Sequence, residues 1–450
     1  MSTGHKASGP TWLGSQRPLA RMVGRPVARF LAVETSGGIL MVVATIAALI
    51  WANSPWSESY TTLWGTEMSI EAGSFHLSMH LSHWVNDALM ALFFFVVGLE
   101  IKRELVSGQL SDIRDATLPI IAALGGMVVP AAIFAVMNLG GDGMHGWGVP
   151  MATDIAFAVG VLTLLGDRVP SPLKVFLLGL AIADDIGAII VIAIFYTEDL
   201  AFDWLGAAAL GLVVVTVMRR AKVWYAPLYV VVGVVVWYCT LKSGIHATIA
   251  GVALGLLTPA RPLMPQVQAD AIADRLSSDH DVTAEEVHEL ELELRASVSV
   301  AERLENALHP WTSYLVIPIF ALANAGIPLS ADSIGDAVSS RVTLGVVLGL
   351  VVGKLVGISG ITWLAVRLGI GRLPVGVGWR HVVGMASVAG IGFTVAIFVA
   401  GLAYDDLVLQ DEAKIGVLAA SLIAALLGPA ILLLGSKPTE PAPADTADTL

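Results

Sequence analysis

The chain has 450 residues, of which 56% are hydrophobic and only 14% charged, with a formal net charge of −12 and a mean hydropathy of +0.78. Soluble domains carry about 25% charged residues, so this composition excludes a soluble globular protein, and the acidic balance excludes nucleic acid as a partner. The single cysteine, Cys239, excludes an internal disulfide.

In chain order, residues 1–35 form a basic segment with Arg17, Arg21, Arg25 and Arg29. The apolar run that follows, near 36–53, is long enough to span and has no clear small-residue cleavage site, so it reads as a retained first helix rather than a signal peptide. Further runs fall near 84–101, 116–138, 151–166, 174–196, 201–218, 225–241, 244–260, 310–328, 343–366, 380–404 and 413–435. Together they predict an all-α polytopic membrane protein of about twelve transmembrane helices, in one membrane domain over 36–436. Between the first two runs, "TEMSIEAGSFHLSM" (66–79) alternates Met68 and Ile70 with polar neighbours, turns at Ala72-Gly73, and alternates again through Phe75, Leu77 and Met79. That period predicts a two-stranded β-hairpin, which is marginal unless it pairs with something. Residues 265–307 are an acidic loop whose second half, from Thr283, reads as a helix opened by a Thr-Ala-Glu-Glu capping box. From Lys437, "KPTEPAPADTADTL" (437–450) reads as a disordered tail. With the N-terminus inside, about 21 of the 25 Lys and Arg residues fall on inside segments, which predicts cytoplasmic termini and an external hairpin.

Three acids and one base lie at membrane depth. "MATDIAFAVG" places Asp154 beside Thr153, and "LAIADDIGAIIV" sets Asp184 and Asp185 side by side as the only charges between 175 and 196. "GLVVGKLVGISG" centres Lys354, the only charge between Arg341 and Arg367. Each acid at a helix centre costs about 2.5–3.5 kcal/mol on insertion scales, so the adjacent pair costs roughly 5–7 kcal/mol. A structural ion pair holding helices together needs one acid, not three. Adjacent carboxylates cannot both stay ionised and unpaired in a low dielectric, and a hard cation or a proton would supply the missing charge. The cluster therefore reads as a site where a small metal ion and protons compete.

Two of the runs are interrupted. The run after Val149-Pro150 is short and begins almost at Thr153-Asp154, and "SVAGIGFTVAIF" carries Gly390 and Gly392 near the middle of its run. Glycine costs about 1 kcal/mol in a helix interior, so an unwound stretch is expected there; glycines that merely allow close helix packing are the alternative. Interrupted helices in corresponding positions of two halves point to a midplane transport site between inverted repeats. The repeats would be three helices near 116–196 and three near 343–435, and Thr153 and Thr394 are each followed four residues on by a phenylalanine, Phe157 and Phe398.

The stretches "HWVNDALMALFFFVVGLEIKREL", "MATDIAFAVG", "LGLAIADDIGAII", "LKSGIHATIAG", "LHPWTSYLVIPIFALANAGI", "GKLVGISG" and "GIGFTVAIF" follow in order over residues 83–400. In them the chain resembles the NhaA-type sodium/proton antiporters. The resemblance implies a secondary antiporter of the bacterial cytoplasmic membrane that exchanges cytoplasmic Na+ or Li+ for external protons under pH control. No cofactor is implied. It implies that Asp184 and Asp185 carry ion and proton, that Asp154 and Thr153 sit where two unwound helices cross, with Gly390, Gly392 and Thr394 in the second, and that Lys354 pairs with Asp184. Asp154 and Lys354 would also balance the half-helix dipoles that meet there. The pH-sensing region implied by the likeness maps to Glu100, Lys102, Arg103 and Glu104 in "GLEIKREL", to Arg303 and Glu305 before "LHPW", and to His246 in "SGIHATIAG". Glu302 stands where a lysine is typical and Asn306 where a histidine is common, a charge reversal that bears on the pH midpoint. The hairpin at 66–79 resembles the family's external one, which implies a homodimer joined by pairing of these edges outside the membrane, with lipid surrounding the helices.

Other classes fit less well. An intramembrane aspartyl protease needs a Gly-x-Gly-Asp around its second acid, and neither Asp154 nor Asp184 has that setting. A cation channel needs a ring of identical acids about a pore. A transporter of another solute on the same architecture, such as an organic anion, is disfavoured by the buried acids.

Overall fold

The computed structural model describes residues 36–434 apart from 74, 109, 198–199, 222, 224–225 and 262–297. The basic segment 1–35, the greater part of the acidic loop with the helix expected from Thr283, and the tail 437–450 lie outside the described residues. Helix α1 (Ser36–Ala52) leads into α2 (Ser57–Gly65), and the hairpin strands are β1 (Glu67–Ala72) and β2 (Phe75–His80). Then come α3 (Leu81–Ser107), α4 (Ile113–Met137), a 3-10 stretch Asp142–Met151, α5 (Ile155–Leu164), α6 (Ser171–Phe195), α7 (Phe202–Arg220), α8 (Ala226–Lys242) and α9 (Thr248–Leu257). After the acidic loop follow α10 (Val300–Trp311), α11 (Ile317–Asn324), α12 (Ala331–Ser339), α13 (Arg341–Arg367), α14 (Trp379–Val388), α15 (Phe393–Ala403) and α16 (Leu407–Leu433).

Six of these helices, α3, α4, α6, α7, α13 and α16, are long and apolar enough to cross a bilayer, or up to nine spans if each bent pair counts as one. Their outer faces keep large aliphatic side chains exposed, such as Leu210, Val213 and Val217 of α7 and Leu422 and Leu426 of α16. Such faces suit hydrocarbon rather than water. The 112° bend between α1 and α2 makes α2 a surface helix rather than a continuation, with Tyr60 and Trp64 buried and Trp56 exposed. Asn53 fixes the bend, donating to Ile327 C=O and accepting from Leu329 N–H.

The hairpin forms as its period predicts, with β1 and β2 antiparallel from Glu67 opposite His80 to Ala72 opposite Phe75. Among the described residues it is a sheet of two strands, with Met68 and Ile70 exposed and Leu77 buried.

Close packing comes from helix glycines at the required spacing. Gly251 and Gly255 of α9 lie against the backbone of α3 at Ala91, Phe95 and Gly98, and Gly357 of α13 lies against the carbonyl of Gly125 in α4. Small residues let membrane helices approach this closely, where dispersion contacts must replace the hydrophobic drive. A methyl group at Gly357 would overlap the Gly125 oxygen, whereas Gly360 on the same helix faces open space. Gly357→Ala should therefore cost about 1–3 kcal/mol through overpacking, and Gly360→Ala should cost nothing measurable. Thermal unfolding of the two variants in detergent checks this; equal midpoints would show that α4 and α13 part without strain.

Two helical elements are broken side by side. The stretch Asp142–Met151 meets α5 at 46°, and α14 meets α15 at 48°. The first break differs from expectation in one respect: the run expected from 151 lacks its leading half. Gly143, Gly146, Gly148 and Pro150 make 142–151 a poor α-helix, and it winds as a 3-10 helix instead. The second break falls at Gly390 and Gly392. A side chain at Gly390 would lie 2.5 Å from Leu350 C=O, and one at Gly392 would lie 2.9 Å from Ala152 C=O. Gly392 lets the two breaks touch each other, and Gly390 lets α13 approach the second.

Candidate functional site

The site is built where the breaks meet. Asp154, in extended conformation (φ −85°, ψ 100°), is the N-cap of α5, and one carboxylate oxygen accepts from Phe157 N–H at 3.0 Å. Its other oxygen accepts from the N–H and hydroxyl of Thr394, at 3.1 and 2.7 Å, in the first turn of α15. One carboxylate thus caps two helix N-termini, each equivalent to roughly half a positive charge. The exposed carbonyls are also matched: Ile391 C=O accepts from Asp154 N–H at 2.7 Å, and Ala389 C=O from the Thr153 hydroxyl at 2.9 Å.

Lys354 reaches this junction from α13. A π-helical turn, Gly349–Gly353, precedes it, and its glycines lie against Pro150 and Pro130. The Lys354 ammonium is fully buried and donates to Thr153 Oγ1 at 2.9 Å and to Asp184 Oδ2 at 2.6 Å. Thr153 also faces Asp184. The expected Lys354–Asp184 pair is therefore present. Lys354 serves the α14 end only indirectly, through the Thr153 hydroxyl.

Asp184 and Asp185 project from the middle of α6, with 0% and 7% of their surface exposed. The Oδ1 atoms of both are buried with no hydrogen-bond donor among the described residues. Leaving a buried acceptor unsatisfied costs about 1–3 kcal/mol, and more for a charged one. Asp154 has two helix ends and Asp184 has Lys354. Among the described residues Asp185 makes no ion pair; Lys354 acts on it only from a distance, and Glu100 of α3 adds a further negative neighbour. No group of three or more His, Cys, Asp or Glu converges as a metal centre among the described residues. What this arrangement offers a hard monovalent cation, or a proton, is the pair of free oxygens on α6 with the Thr153 hydroxyl nearby.

The remaining candidates lie at the far end of α3. Arg103 donates to Glu305 Oε1 at 2.5 Å and to Glu104 Oε1 at 3.3 Å, so it joins α3 to α10. Sequence reasoning placed Arg103 beside Glu100 and Glu104 but missed its bond to Glu305, since nothing local connects residues 202 positions apart. Ser299 caps α10 by accepting from Glu302 N–H, and Arg303 is half-buried beside it. Glu305 lies outside the apolar spans. Burial holds its carboxyl above the ordinary range, Arg103 pulls it back down, and Glu104 and Glu302 push it up. His246 lies in the turn before α9, where its carbonyl accepts from Ile249 N–H. The other end of α9 meets α10 through Ala301 N–H on Pro259 C=O. His246 is therefore a helix length, about 15 Å, from the Arg103 cluster.

The family model described as Na+/H+ antiporter 1 matches residues 28–432 of this chain. The Na(+)/H(+) antiporter NhaA of Rhodopirellula baltica is 48% identical over 432 residues, covering 93% of this chain and 95% of the relative. The Na(+)/H(+) antiporter NhaA 2 of Myxococcus xanthus is 46% identical over 446 residues, covering 96% and 94%. The protein of that same name from Sorangium cellulosum is 47% identical over 440 residues, with the same coverage.

Proposed function

The chain belongs to the Na+/H+ antiporter 1 family and is a multi-pass sodium/proton antiporter, and on that premise we propose that Asp184 and Asp185 carry both ion and proton. It is a transporter and not an enzyme, and sodium and protons are cargo, so no resident cofactor is required. The observation that carries the site assignment is the pair of donor-less carboxylate oxygens on α6, beside the two breaks.

Sodium or lithium arriving at the pair supplies the charge that Asp185 lacks and displaces protons. Protons arriving from the other side displace the ion. Thr153 adds a hydroxyl ligand as Lys354 lets go of Asp184. Asp154, whose oxygens already serve Phe157 and Thr394, holds the crossing together and contributes charge to the site. The two similar bends and the Asp154–Thr394 link support twelve spans built as inverted repeats: α4, the first broken element and α6 against α13, the second broken element and α16. By the distribution of basic residues the termini face the cytoplasm of a bacterial inner membrane, and the hairpin faces outward. Its exposed edges and apolar face, with Met68 and Ile70, suit pairing with a second copy as a homodimer.

The Arg103 cluster, with Glu100, Glu104, Arg303 and Glu305, would set the pH response at the cytoplasmic end. The test is a pH series of sodium-induced proton flux in vesicles containing the pure protein. Flux should rise as pH rises, because protons leave the shared carboxylates. Glu302→Lys should move the midpoint to lower pH. Exchanging an acid for a lysine lowers the Glu305 pKa, so Glu305 keeps its charge and its Arg103 partner to a lower pH. The alkaline plateau should stay the same. Superimposable curves would remove the cluster from regulation, and no sodium-dependent flux at any pH would sink the site's assigned role.

A further inference from the structure

The stretch Asp142–Met151 delivers Thr153 and Asp154 to the crossing, yet its glycines leave it few side chains with which to anchor itself. Two tyrosines anchor it. Tyr196 follows the last turn of α6 and is 3% exposed; its hydroxyl accepts from Gly148 N–H and donates to His145 C=O, both at 3.0 Å. Tyr404 follows the last turn of α15 and is 6% exposed; its hydroxyl donates to Gly143 C=O at 2.7 Å. The seats are cut to shape. A side chain at Gly146 would overlap the Tyr404 hydroxyl, and one at Gly148 would lie 2.6 Å from the Tyr196 oxygen.

We propose that Tyr196 and Tyr404 are positioning residues that lock the lead-in 142–151 to α6 and α15 and so hold Thr153 in register with Asp184 and Asp185. The geometry makes α15 and the lead-in one unit, because they are joined at both ends: Asp154 with Thr394 at the break, and Tyr404 with Gly143 at the outer end. Tyr196 ties that unit to the helix that carries the aspartate pair. It lies eleven residues beyond Asp185, about 17 Å along α6. A loosened lead-in lets Thr153 and the Lys354–Asp184 contact drift, and the ion site loses its shape without losing a ligand.

This inference rests on the reading of Asp184 and Asp185 as the ion site, and its test separates the two. In vesicles, Tyr196→Phe and Tyr404→Phe should each raise the apparent sodium KM about 3- to 10-fold, the scale of one buried neutral hydrogen bond, with a smaller change in maximal rate. Gly148→Ala should be worse than Tyr196→Phe. The double variant Gly148→Ala/Tyr196→Phe should recover much of that loss, because the atoms then facing the new methyl are ring carbons 3.0 and 3.2 Å away. A wild-type sodium KM in both phenylalanine variants, with only the unfolding temperature lowered, would overturn the proposal and leave the tyrosines as packing. So would a double variant no better than Gly148→Ala. If Gly148→Ala fails to fold, the phenylalanine variants decide alone. A wild type without sodium-driven flux would instead overturn the ion site itself.

Discussion

Asp185→Asn should abolish sodium-driven proton release while leaving the protein at least as stable as the wild type. The two effects have one cause. Asp185 is buried at 7% exposure, its Oδ1 finds no donor among the described residues, and Asp184, Glu100 and Asp154 oppose its charge more than Lys354 offsets it. Such a group costs the fold and serves only what it binds. An amide removes the uncompensated charge, so thermal stability should hold or rise. It also removes an anionic ligand, and contacts to a charged group are worth about 1.5–3 kcal/mol, or roughly 10- to 150-fold in sodium affinity. Because an amide carries no proton in exchange, coupling is lost as well, and flux should fall to background. Asp184→Asn should give the same loss of flux, without the gain in stability, because it weakens the bond to Lys354. Sodium-induced fluorescence dequenching in vesicles and an unfolding scan in detergent are the paired measurements. Full exchange by Asp185→Asn would rule out the carboxylate pair as the shared site.

Which parts of this were legible in the sequence follows from the length scale of each interaction. A charge in an apolar run is expensive wherever it sits, so Asp154, Asp184, Asp185 and Lys354 declare themselves without a fold. The same holds for the hairpin, whose period of two is local. Hydropathy could not reveal the lead-in 142–151, because Asp142, His145 and the glycines dilute its apolar residues, so the first broken element read as half its length. Nor could it reveal α2 or α12, which at nine residues each are too short to span alone. Gly390 and Gly392 marked the second break, but their reason is the approach of Leu350 and Ala152 carbonyls from distant elements. The partnership of Asp154 with Thr394 spans 240 positions, and that of Arg103 with Glu305 spans 202. No window along the chain contains either. The tyrosine anchors were invisible for a similar reason, since each looks like an aromatic residue at a membrane boundary until its hydroxyl is seen to meet a glycine-rich backbone.

The Lys354–Asp184 pair should show the opposite balance from Asp185. Both side chains are fully buried, 2.6 Å apart, and the ammonium has one further acceptor in Thr153. Taking two charges out of water is repaid only while both are present, and removing one partner of such a pair costs about 3–5 kcal/mol. Lys354→Met, which keeps the length of the stem, should therefore lower the unfolding midpoint clearly. Its sodium affinity should suffer less than its stability if, as proposed, the lysine competes with the ion for Asp184. Two consequences separate this account from a simple packing defect. Added sodium should restore the midpoint of Lys354→Met more than it raises that of the wild type, since the cation supplies the charge that Asp184 has lost and binds only the folded protein. The double variant Asp184→Asn/Lys354→Met should also recover much of the stability, as replacing both members of a buried pair often does, while remaining unable to transport. A Lys354→Met protein as stable as the wild type, with no response to sodium, would mean that the resting protein does not rely on this pair.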